Sequence, residues 1–76
     1  MARAMMNYTY FLLERVSFDA QLFYKEVQKA MNRLLPHEIY ELNIWLTQFV
    51  QDKPELQPSL RFVREHPSFN AQYQGL

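Results

Sequence analysis

His37, Glu38 and Glu41 fall within about one helical turn, and an imidazole beside two carboxylates is the kind of set that ligates metals or moves protons. A built site would need a further ligand or an acid–base partner from elsewhere. The other histidine, His66, closes a different predicted helix, and the sequence contains no HExxH pair, EF-hand loop or paired Glu-x-x-His arrangement. The two glutamates are therefore expected to complement the positive end of a helix dipole, and no metal or other cofactor is expected. Nucleophilic catalysis is no better supported. Ser17, Ser59 and Ser68 lie beside helix starts or in the tail, without a Gly-rich elbow or an adjacent base, and capping accounts for them. The lack of cysteine removes thiol nucleophiles, Cys-based zinc sites and disulfides, and the single glycine, Gly75, leaves no loop able to cradle phosphate. The chain reads as noncatalytic, with no small-molecule substrate in view.

Two other sets of residues are arranged to hold a partner. Lys25, Lys29 and Arg33 follow one another at i, i+4 spacing along one helix edge, a stripe that could track a phosphate backbone. Three phosphate contacts give a salt slope of about −2.7, which is a loss of roughly 40-fold between about 50 and 200 mM salt and too weak alone for useful binding. A dimer would double that footprint, so a DNA- or RNA-associated regulator stands as the alternative reading. Glu38 and Glu41 count against a helix-turn-helix, because they open the following helix and would meet phosphates head on. The second set is apolar. Tyr40 and Ile44 point away from the Ile39/Leu42/Leu46 stripe of their own helix, with Trp45 at its margin. Leu22 likewise falls among Lys29 and Arg33. Either the N-terminal segment covers these positions or a second molecule does.

Helices must position both sets. The clearest runs from about Asp19 to Leu35, where Phe23, Val27, Ala30, Met31 and Leu34 share one arc and Lys25, Lys29, Asn32 and Arg33 oppose it. Ser17 or Asp19 is expected to cap it, with Phe18 stapled onto Phe23. Pro36 opens a second helix to Gln51, its stripe made by Ile39, Leu42, Leu46, Phe49 and Val50, and the short junction folds the pair back on itself. A short helix follows from Pro58, or from Pro54, to Glu65, with Leu60, Phe62 and Val63 apolar and His66-Pro67 closing it. Before Ser17, Met5, Tyr8, Leu12 and Val16 fit a helical stripe, although Tyr8 to Phe11 also favours a strand. Helix is expected there, since a lone strand would lack a partner.

These elements make one all-α domain, a compact three- to four-helix bundle over residues 1–67, with residues 68–76 as a loosely held C-terminal tail. At 76 residues the core is small, and six Phe, five Tyr and one Trp are its compensation. A formal net charge of zero removes the broad field of a nonspecific nucleic-acid or membrane-surface binder, and also the repulsion that keeps molecules apart. The longest uninterrupted apolar run, Tyr10 to Leu13, is far below the ~20 residues of a membrane span, and no signal-peptide pattern is read at the N-terminus. The expectation is a cytoplasmic, noncatalytic protein–protein interaction module that forms a homo-oligomer, or holds another protein, through the face containing Tyr40, Ile44 and Trp45.

Overall fold

The computed structural model describes residues 2–67, and every regular element in that span is helical: α1 (Ala2–Arg15), α2 (Ala20–Arg33), α3 (Pro36–Phe49), a 3-10 turn (Pro54–Leu56) and α4 (Gln57–Glu65). The all-α class expected from the sequence is the one observed. Residues 68–76, read above as a tail, lie outside the described residues.

Local chemistry sets the helix ends. Asp19 caps α2, its carboxylate accepting the N–H groups of Gln21 at 3.0 Å and Leu22 at 3.1 Å. Ser17 does something else: its hydroxyl donates to the carbonyl of Glu14 at 2.9 Å and so belongs to the end of α1. The expected staple does not form, because Phe18 stands 83% exposed in the turn between the two helices. Replacing Asp19 with alanine orphans two N–H groups and should lower stability by about 1 kcal/mol, read as a fall in denaturant midpoint at unchanged m-value.

At the other end of α2, Leu34 and Leu35 are both extended (ψ 149° and 159°), as a following proline requires, so the helix stops at Arg33 and Pro36 starts α3. Glu38 secures that start from within: the Leu35 N–H donates to its Oε1 at 2.8 Å. Beyond α3, the Gln57 side-chain amide donates to the carbonyl of Val50 at 2.7 Å and ties the start of α4 to the end of α3. With nine residues, α4 is too short to persist alone and is held by packing on α2 and α3.

The core joins Phe23, Val27, Ala30, Met31 and Leu34 of α2 and its cap to Ile39, Leu42, Leu46 and Val50 from α3, with Leu56, Leu60 and Val63 closing one side. α1 closes the other side by packing on α2, and its register differs from the expected one. The residues it buries are Met6, Thr9 and Leu13, whereas Met5 and Tyr8 of the expected stripe are exposed. A threonine is tolerated in this row because its hydroxyl donates to the carbonyl of Met5 at 2.8 Å, leaving its methyl group to pack.

Candidate functional site

Trp45 is where α1 meets α3. Its ring stacks on Tyr10 from α1 at 4.8 Å between centroids and on Phe49 at 4.6 Å, and Phe49 continues the stack to Phe23 at 6.0 Å. The Lys53 ammonium lies 4.5 Å from the Phe49 centroid while donating to the Phe49 carbonyl at 3.2 Å, which extends the column at its polar end. Each such ring pair adds about 0.5–1.5 kcal/mol beyond its buried area. Half-buried in this column, Trp45 binds the protein's own helices together and is not part of an open surface.

Tyr40 and Ile44 are placed differently. They stand on the side of α3 turned from the core, and Ile44 is 49% exposed. α1 reaches α3 through Trp45 and leaves Ile44 at the surface. The neighbouring row of α3, Asn43 and Thr47, is engaged by Arg64 of α4, whose Nε donates to the Asn43 side-chain oxygen at 3.1 Å and whose Nη2 donates to the Thr47 hydroxyl at 3.0 Å.

Reasoning from the sequence did not find a further exposed apolar row on α1. α1 carries Met5, Tyr8 and Phe11 along its outer side at i, i+3 and i+6, with Leu12 half-buried beside them. Tyr8 is 52% and Phe11 57% exposed. The Arg15 guanidinium lies beside this row, 5.5 Å from the Phe11 centroid. Because the opposite side of α1 buries Met6, Thr9 and Leu13, the helix is apolar on two sides. The recurrence of an apolar residue every third position from Met5 to Phe11 was the available signal.

Lys25, Lys29 and Arg33 are all exposed on α2 and form the continuous edge that their spacing predicts. Lys29 pairs with the half-buried Glu26 at 3.6 Å, which reduces the positive charge the stripe can offer. The histidine–carboxylate cluster disperses: His37 faces solvent, Glu38 is buried in its capping role with Oε2 unpartnered, and Glu41 is half-buried. Among the described residues no group of three or more His, Asp or Glu side chains is placed to hold a metal ion, and no helix is long and apolar enough to cross a membrane. A shallow cleft of about 300 Å³ between α2 and α4 is lined by Ala20, Gln21, Tyr24, Glu55, Pro58 and Ser59. Ser59 is buried inside α4 and does not cap it. Comparison with family models, curated proteins and solved structures finds no match.

Proposed function

We propose that this chain is a small noncatalytic protein–protein interaction module that self-associates through an aromatic, apolar helix face. The outer side of α1 is that face, and the observation that carries the reading is the exposed Met5/Tyr8/Phe11 row on a helix that already buries its other side. A monomer gains nothing by displaying these rings, and covering them removes apolar area from water at about 25 cal/mol per Å². Formal net charge zero leaves little long-range repulsion to keep two copies apart. The geometry suits an isologous pair of antiparallel α1 helices: an axis beside Tyr8 sets Met5 of each copy against Phe11 of the other, a sulfur–aromatic contact repeated twice. Tyr40 and Ile44, with polar His37, Thr47 and Gln48 exposed around them, form a smaller surface.

Sedimentation velocity over a wide concentration range tests this reading. The expected result is a reversible rise in mass toward the dimer; a chain still monomeric at high micromolar concentration excludes it. The exposed Lys25/Lys29/Arg33 edge supports the alternative of nucleic-acid association. Retention on heparin separates the two: three contacts predict release over a shallow salt gradient with slope near −2.7, doubling in a dimer that presents both edges to one ligand. No retention at low salt removes the alternative.

A further inference from the structure

We propose that the outer edge of α2 is a track for single-stranded nucleic acid, with Phe18 at its head stacking on a base and Lys25, Lys29 and Arg33 following the phosphates. The proposal rests on the nucleic-acid reading of that edge and is independent of the outer side of α1. At about 100° per residue, Leu22, Lys25, Lys29 and Arg33 fall within an arc of roughly 80°, and successive cations stand about 6 Å apart along the helix axis. The cations thus form one evenly spaced line. α2 carries three cations and one acid on a chain whose formal net charge is zero, so positive charge is concentrated here. The one acid, Glu26, is half-buried and held by Lys29, while Lys25 and Arg33 have no ion-pair partner among the described residues.

Phe18 distinguishes a strand with free bases from other anionic partners. Its ring stands 83% exposed one residue before the cap of α2, more than any other large apolar side chain among the described residues. A bare aromatic face takes a base by stacking, whereas in a duplex the base faces are already covered by their neighbours. Asp19 favours the same division between base and phosphate. Its carboxylate is engaged with the Gln21 and Leu22 N–H groups and still repels phosphate from the head of the edge, where an uncharged base is accepted. Over the first turn of α2, a shallow hollow of about 230 Å³ lined by Asp19, Gln21, Leu22 and Lys25 has room for one base. Gln21, Gln28 and Asn32 are exposed in a row that flanks the cations, and their amides both donate and accept. A lipid surface or an acidic amphipathic helix would need an apolar stripe, and no apolar residue of α2 itself is exposed.

The test is anisotropy of a labelled oligothymidylate of about a dozen nucleotides, titrated with the full chain at several salt concentrations. Three contacts to a single strand predict a slope of log K against log salt near −2.1, or about −1.4 where Glu26 holds Lys29 back. Lys25→Gln and Arg33→Gln should each make the slope shallower by about 0.7 per bound copy. Phe18→Ala should weaken binding about 5- to 150-fold with the slope unchanged, because a stacked base and no phosphate is lost, and Phe18→Trp should restore it. Oligouridylate should bind within about threefold of oligothymidylate, since neither the ring nor the cations touch the sugar; a larger preference overturns this assignment of contacts. No anisotropy change at the lowest salt overturns both the proposal and the reading of the edge beneath it. Binding that Phe18→Ala leaves unchanged, or a duplex of the same length bound as tightly as the single strand, leaves the basic edge standing and overturns the track. Displacement of the oligonucleotide by polyglutamate at equal charge overturns it too and assigns the edge to an acidic protein.

Discussion

Replacing Leu46 with alanine should remove ~2–5 kcal/mol of stability, the range for a buried leucine whose cavity closes only in part. Leu46 is completely buried on α3, within the cluster that α2 and α4 share. At roughly 0.05–0.15 kcal/mol per residue, a chain of this length holds about 4–11 kcal/mol in total, so this one change removes a large part of it and the described helices should melt as a unit. Leu34 sits at the end of α2 with an edge exposed, and Leu34→Ala belongs at the lower end of the range. Phe18→Ala is the control. Its ring touches little, and the change should stay within about 0.5 kcal/mol. Urea unfolding followed by circular dichroism checks all three, and a loss below about 0.5 kcal/mol at both leucines would mean that the stripes of α2 and α3 do not face one core.

Phe11→Lys should weaken self-association by roughly 30- to 1,000-fold. A central aromatic in an interface is worth about 1–2 kcal/mol on truncation, and the two-fold axis counts each residue twice, giving ~2–4 kcal/mol for the pair. A lysine at this site brings like charges together beside Arg15 of each copy, so the upper part of the range is expected. The monomer should keep its helices, because Phe11 points away from Met6, Thr9 and Leu13. Sedimentation of Phe11→Lys beside Ile44→Lys separates the two surfaces: the first should be monomeric and the second should associate as the wild type does. The reverse pattern assigns the contact to α3.

Where a helix has one apolar side, its sequence defines its placement. On α2, Phe23, Val27, Ala30, Met31 and Leu34 alternate with charged residues, and all five are buried as the 3.6-residue period requires. Four of the five apolar residues expected on α3 are likewise buried, and the fifth, Phe49, joins the stack. α1 shows why periodicity fails elsewhere. With Met5, Tyr8, Phe11 and Leu12 on one side and Met6, Tyr10 and Leu13 on the other, its pattern fits two phases. The phase that is buried contains Thr9, which counts as polar until its hydroxyl is seen bonded to the turn before it. The position of Trp45 was hidden for a related reason. A residue at the margin of its own helix looks exposed until another helix supplies a ring such as Tyr10, and that pairing depends on tertiary placement rather than on spacing within α3. The basic edge was legible, being local to one helix. The pairing of Lys29 with Glu26 depends on which rotamers meet and was not.

The aromatic column has an optical consequence. Trp45 is the chain's one indole, so all tryptophan emission comes from the seam between α1 and α3. Peeling α1 away would wet that indole and shift its emission to the red, while α2, α3 and α4 could keep their mutual packing and most of the far-ultraviolet ellipticity. The two signals thus track different events. If α1 undocks before the remainder unfolds, the emission transition precedes the ellipticity transition on a denaturant axis. If the four helices come apart together, the curves superimpose. The chain thereby carries a built-in reporter for its first helix.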